Sequence, residues 1–233
     1  MKIAYTVFHS KDNSKSLSQR VNNFKQIQEK FKKLDYIDNE VVMLKNLKDY
    51  KEVLKSNRQL RKINVVGKIR LGAVGLIFTT FLAYEKMLQT NYDIFLIFED
   101  DAQIKSNTFD LVIDYIDELP KDFDIVSLYD NQAFFDKYQE HHNVGLTNLC
   151  KSYNDRSTLV YAISKNGMKK YMTLMKEKID NPIDLYLFDV KKETNQYAIK
   201  PTSKQPFFSD FFIENGDPDY EHSLINKTAE FKW

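Results

Sequence analysis

The stretch YDIFLIFEDDAQI, residues 92–104, runs the apolar residues Ile94, Phe95, Leu96, Ile97 and Phe98 together and then sets three carboxylates in a row, Glu99, Asp100 and Asp101. The run lacks the strict alternation of a half-solvated strand. It therefore reads as a strand covered on both faces, as central strands of parallel sheets are. Adjacent carboxylates at the end of such a strand repel one another, and they need raised pKa values or a counter-charge. A hard divalent cation, Mg²⁺ or Mn²⁺, meets that need, because it prefers oxygen ligands and takes one or two carboxylates together with substrate phosphates. The plainer alternative is a carboxylate cluster at the start of the next helix.

Working outward, IAYTVF (3–8) is a short β-rich run that ends in turn formers and predicts a first strand. Residues 16–35 carry Leu17, Val21, Phe24, Ile27, Gln28 and Phe31 at helical spacing with lysines between them, which predicts an amphipathic helix. EVVML (40–44) predicts a second strand and residues 47–62 a second helical stretch. Residues 72–91 carry apolar side chains at 74, 77, 78, 81, 82, 84, 87 and 88, which predicts a buried helix with Gly72 and Gly75 near its start. Beyond the central strand come a helix over 106–120, a buried strand in FDIVSLYDN (123–131), a strand over 157–164, and a helix over 165–178 with Gly167 in its first turn. A helix follows from Asn181-Pro182, with Asn181 as its cap, and NQYAIKP (195–201) reads as the last strand. After Thr202 little regular structure is expected. Alternating strands and helices imply an α/β class with a mostly parallel, Rossmann-like central sheet flanked by helices. Ligands of such sheets bind beyond the carboxyl ends of the strands, where both the triple carboxylate and the Tyr129-Asp130-Asn131 cluster fall.

The 233 residues suit a single domain over 1–233, with about 1–105 as one half and about 106–233 as the other, including the tail. Lysine and arginine number 34 against 33 acidic residues, so the formal charge of +1 exerts no global pull toward nucleic acid or acidic membranes. The single cysteine, Cys150, rules out an intrachain disulfide and reads as a small core residue. The N-terminal apolar run is too short for a signal-peptide core, and residues 71–84 fall short of a membrane span, so a soluble, cytoplasmic protein is expected. The triplet Asn226-Lys227-Thr228 reads as a chance match to a glycosylation site.

An apolar strand followed by Glu-Asp-Asp is the pattern of nucleotide-sugar transferases of the type A fold. GAVGLIFTTFLAYEKMLQTNYDIFLIFEDDA (72–102) resembles the signature of glycosyltransferase family 25, the lipopolysaccharide and procollagen galactosyltransferases. FDIVSLYD (123–130), STLVYAISKNGMKKYM (157–172), NPIDLYL (181–187) and YAIKPTSKQPFFSD (197–210) match further family segments in order, so the resemblance covers about 70–209. Two departures stand out: Ala73 replaces a glutamate, and Thr79-Thr80 stands where Ser-His is usual.

The resemblance implies a type A glycosyltransferase fold and a metal-dependent, inverting hexosyl transfer. The donor would be a UDP-sugar carrying galactose or glucose, and the acceptor a glycan or another hydroxyl-bearing molecule, as in lipopolysaccharide biosynthesis. It carries metal binding onto Glu99 and Asp101, with His222 completing the shell, and donor contacts onto Asp100, Gly72 and Gly75. Asp184 is the first candidate for the base that deprotonates the acceptor, and Asp130 the second. As charges, these two also read simply as a helix first-turn residue and a turn residue. His9, His141 and His142 are expected in solvated loops. Arg58, Arg61, Lys62, Lys68 and Arg70 form a basic string before the signature helix, either a solvated face or an attractor of a diphosphate or polyanion. A non-catalytic nucleotide-sugar-binding module, a Mg²⁺-dependent phosphohydrolase and a transferase acting on modified DNA bases are the competing readings.

Overall fold

The computed structural model describes residues 1–10, 18–105, 107–129, 145–151, 158–190, 192–200, 207–208 and 230–232. In chain order its elements are β1 (Ile3–His9), α1 (Ser18–Lys30), β2 (Asp35–Tyr36), β3 (Asn39–Glu40), α2 (Leu47–Ser56), a 3₁₀ turn (Arg58–Lys62), β4 (Lys68–Arg70), α3 (Leu71–Leu88), β5 (Ile94–Glu99), β6 (Gln103–Ile104) and α4 (Thr108–Glu118). They continue with β7 (Ile125–Ser127), β8 (Leu149–Lys151), β9 (Val160–Ser164), α5 (Lys165–Glu177), α6 (Ile183–Asp189), β10 (Gln196–Ile199), β11 (Phe207–Phe208) and β12 (Glu230–Lys232).

Eight strands form the main sheet in the order β2-β1-β5-β9-β7-β10-β8, with β3 also on β1. β1 pairs in parallel with β2, β3 and β5, and β7 with β10. β9 lies antiparallel between β5 and β7, and β8 lies antiparallel on β10. The α/β class and the mainly parallel sheet flanked by helices are thus as the sequence predicts. The reversed β9 is not readable from its apolar run, since such a run reports burial on two faces and carries no sign of strand direction.

The sheet is covered on both sides. Along β5, Phe95 and Ile97 join Ala4 and Phe8 of β1 and Tyr161 and Ile163 of β9 in a core beneath α3, α5 and α6. Ile94, Leu96 and Phe98 point the other way, into a second core with Tyr5, Val7, Ile27 of α1 and Phe31 just after it. This is why the run 94–98 has no polar alternation: successive side chains enter opposite cores. Phe31 packs on Phe98 with ring centroids 4.9 Å apart, which docks α1 on β5. Full burial of such a side chain contributes about 1.5–3 kcal/mol.

Helix α3 has the length and apolar composition of a membrane span, but most of it is buried inside the protein, as in a core helix. Its Gly75 meets the chain after β3 so closely that a Cβ there would stand 2.2 Å from the Val42 carbonyl oxygen. One turn later Thr79 Oγ1 accepts a hydrogen bond from Val42 N at 2.8 Å. This contact shortens the strand expected over 40–44. Val41 N still donates to His9 O, but Val42 turns its N–H to α3, and pairing along β1 ends at Glu40.

Three further expectations change. The cap of α6 is Pro182, and the Asn181 side chain faces Asp180 instead. The second helical stretch divides into α2 and the 3₁₀ turn, where Asn57 breaks the helix in an extended conformation. The region after Thr202 contains β11, paired antiparallel with β6, and β12, paired antiparallel with β4. Strands of two or three residues carry no periodicity of their own, and each forms only on a partner far away in sequence. Gly167 in α5 packs on the Asp124 backbone, where a Cβ would meet the carbonyl oxygen at 2.3 Å.

Candidate active site

The carboxyl ends of β1 and β5 lie side by side, with Phe8 opposite Glu99 in parallel register. A tight turn follows β5, closed by Ala102 N donating to Glu99 O at 3.2 Å, and it carries Asp100 and Asp101 around the strand end. The antiparallel neighbour β9 begins at this same edge. Just before it, Leu159 O accepts from Glu99 N at 2.9 Å, and Thr158 Oγ1 donates to Glu99 Oε1 in a short hydrogen bond. Glu99 is therefore held by backbone and side chain from a segment whose direction the sequence did not show.

Helix α1 starts at the same edge, and its third residue, Arg20, faces the turn. One guanidinium nitrogen of Arg20 donates to Asp100 Oδ1 in a short ion pair, and the other stands 3.4 Å from Asp101 Oδ2. Burial works against the charge on Arg20, and the Asp101 and Asp100 carboxylates more than offset it, holding the group firmly protonated. Asp100 is buried, with 8% exposure.

Asp184, in the first turn of α6, comes close enough to act on Glu99 electrostatically. The Glu99 carboxyl is pushed up to about 8. Burial is the first cause and the Asp101 charge the second; Asp184 raises it further, while the Thr158 hydrogen bond and Arg20 act in the opposite sense. Near neutral pH Glu99 thus holds a proton among neighbouring carboxylates, a combination that can both give and take protons. On the α3 side, Glu99 also influences the phenol of buried Tyr161, whose hydroxyl meets that of Tyr84 at 3.1 Å.

His9 is the last residue of β1. The sequence reading placed it in a solvated loop, but the structure stacks it against Phe24, with ring centroids 4.8 Å apart, and sets Nε2 2.8 Å from Asp38 Oδ1. Tyr36 donates to the same Asp38 oxygen. Two residues at this edge, Arg20 and Thr158, were missed altogether. Arg20 looked like one cation among many on an amphipathic helix, and only the tertiary contact with Asp100 and Asp101 sets it apart.

The structure therefore places Glu99, Asp100 and Asp101 at one edge, with Asp184 near enough to raise the Glu99 carboxyl. Asp130 and His222 lie outside the described residues. Gly72 sits in the first turn of α3. Gly75 faces the Val42 carbonyl, a packing contact that by itself calls for glycine there. The expected divalent ion does not fit the described residues: no three His, Cys, Asp or Glu side chains among them converge as ligands, and Arg20 already holds Asp100 and Asp101.

No family model matches the chain, and no curated protein matches it. Solved structures similar to it include A197 from STIV, 13% identical, covering 90% of this chain and 87% of that one with a TM-score of 0.42. A glycosyltransferase involved in the glycosylation of the major capsid of PBCV-1 is 11% identical, over 76% of this chain and 66% of that one, with a TM-score of 0.40. Mouse xyloside xylosyltransferase 1 in its apo form is 10% identical, over 84% and 78%, with a TM-score of 0.38. At such distances the function has to be argued from the residues of this chain.

Proposed function

We propose that this protein is a glycosyltransferase of the type A fold that moves a hexose from a nucleotide sugar to an acceptor hydroxyl. The observation that carries the reading is the strand-end run Glu99-Asp100-Asp101 at the carboxyl edge of the sheet, tied to α1 through Arg20 and to the lead-in of β9 through Thr158, with Asp184 near enough to raise the Glu99 carboxyl. That edge is where α/β sheets bind ligands, and the order of the surrounding segments resembles glycosyltransferase family 25.

In this reading Asp184 takes the proton of the acceptor hydroxyl as its oxygen attacks the anomeric carbon. The bond from that carbon to the diphosphate breaks with inversion, and the nucleoside diphosphate departs with the electron pair. In this reading Asp100 orients the ribose or the donor sugar, and Arg20, paired with Asp100 and Asp101, keeps their charge from repelling the diphosphate. The donor proposed is UDP-galactose or UDP-glucose, and the acceptor a glycan or another hydroxyl-bearing molecule.

A second reading is a binding module without turnover. It is favoured by the grip of Arg20 on Asp100 and Asp101, which leaves a metal-assisted departure poorly provided for.

The test is a thermal-shift panel of nucleotide sugars with and without Mn²⁺, followed by assay of nucleoside diphosphate release with the sugar that stabilises most. Ligand at about 100 times its Kd stabilises the native state by roughly 2.7 kcal/mol. A shift with one UDP-sugar, together with release of UDP, is the expected result. A shift without release supports the binding module, and no shift with any nucleotide sugar removes both readings.

A further inference from the structure

We infer that Arg20 is the resident cation of the carboxylate edge: it pairs with one oxygen each of Asp100 and Asp101, so that a divalent ion bridging those oxygens and the guanidinium compete for the same place. Two guanidinium nitrogens reach two different carboxylates, a forked geometry that a planar guanidinium provides and a point charge does not.

The position of Arg20 in its helix argues in the same direction. It lies in the first turn of α1, where the helix dipole disfavours a cation, and that turn has no acidic residue of its own to compensate. The carboxylates at the end of β5 are what make a cation favourable there. The helix is also anchored: Ile27 and Phe31 are fully buried, and Phe31 packs on Phe98, one residue before Glu99. Arg20 is therefore delivered to the edge by a docked element.

The consequence is an edge whose acidic sequence promises a metal site while its fold supplies the counter-charge internally. A divalent ion gains Asp100 and Asp101 only as Arg20 leaves them, and Arg20 thereby sets the metal affinity. This holds whether or not the transferase reading is correct, because it concerns the protein and the ion alone.

The experiment is titration of the purified full chain with Mn²⁺ and no nucleotide present, following the loss of the free-ion electron paramagnetic resonance signal. Wild type, Arg20→Gln, Arg20→Lys and the double variant Arg20→Gln with Asp101→Asn are compared, with circular dichroism to establish folding. Arg20→Gln should bind Mn²⁺ at least about tenfold more tightly than wild type, and the double variant should return to weak binding. Arg20→Lys keeps the charge and the fold, yet a single ammonium cannot span both carboxylates, so it should bind several-fold more tightly than wild type even if the glutamine variant unfolds. Equal affinity in wild type and the folded Arg20 variants, whether tight or weak, would overturn the inference.

Discussion

Asp184 in the first turn of α6 and Glu99 at the end of β5 act on one another electrostatically, and the Asp184 charge raises the proton affinity of the Glu99 carboxyl. Two acidic groups from separate halves of the chain thus share one edge of the sheet, with Arg20 and Thr158 drawing the Glu99 proton affinity back down.

Glu99 makes stability depend on pH in an unusual direction. Its folded carboxyl titrates at about 8 against a reference value of 4.5, so the folded protein holds a proton that the unfolded chain releases. The contribution is complete below pH 4.5 and is lost as pH rises toward 8, at up to about 1.4 kcal/mol per pH unit within that window. Glu99→Gln should flatten this loss, so that the variant gains on wild type between pH 5 and pH 8. Urea unfolding midpoints at four pH values measure the difference; parallel profiles would mean that Glu99 ionises as an ordinary carboxylate.

Replacing Asp184 with asparagine removes a charge that raises the Glu99 carboxyl. The pH at which the growing difference between wild type and the Glu99→Gln variant levels off should therefore move lower when both carry Asp184→Asn. If Asp184 is the base, the same substitution lowers turnover by about 10²-fold or more while donor affinity stays within a few-fold. Equal losses in kcat and in donor affinity would assign Asp184 to donor positioning.

Thr158→Val deletes the hydroxyl that donates to Glu99 Oε1. The carboxyl should then titrate higher, because a hydrogen bond favouring its charged form is gone. Leaving a buried acceptor without its donor costs about 1–3 kcal/mol. Calorimetry at pH 8, where Glu99 is forced toward its charged form, should reveal a larger loss than at pH 5. A loss independent of pH would place the effect of Thr158 in packing.

Gly75→Ala tests the docking of α3 on the segment after β3. The added Cβ would stand 2.2 Å from the Val42 carbonyl oxygen, and a backbone atom cannot swing aside as a side chain tip can. Overpacking of this kind costs typically about 1–3 kcal/mol, with backbone clashes at the upper end. Thr79→Val should add a separate loss of about 1–3 kcal/mol by leaving Val42 N without its acceptor. An alanine variant as stable as wild type would show that the two segments separate at little cost.

Much of the architecture was legible because local chemistry leaves local signals. The apolar run of β5 marked a strand buried on two faces, the spacing of residues 72–91 marked α3, and the carboxylates at 99–101 marked the charged end of that strand. The direction of β9 was not legible, nor were the pairings of β11 with β6 and β12 with β4. Side-chain pattern encodes which faces are buried, whereas strand direction and partner are decided by where the rest of the chain leaves room. Asp130 and His222 lie outside the described residues.

The sequence by itself determined that three carboxylates stand at the end of a rigid, doubly buried strand, because alternation, length and charge are properties of neighbouring residues. Only the tertiary structure decided what balances them. Arg20 and Thr158 converge on that strand end from α1 and from the lead-in to β9, while Asp184 of α6 adds a further negative charge near it. Coulomb and hydrogen-bond energies depend on distances in space, which no spacing along the chain reports.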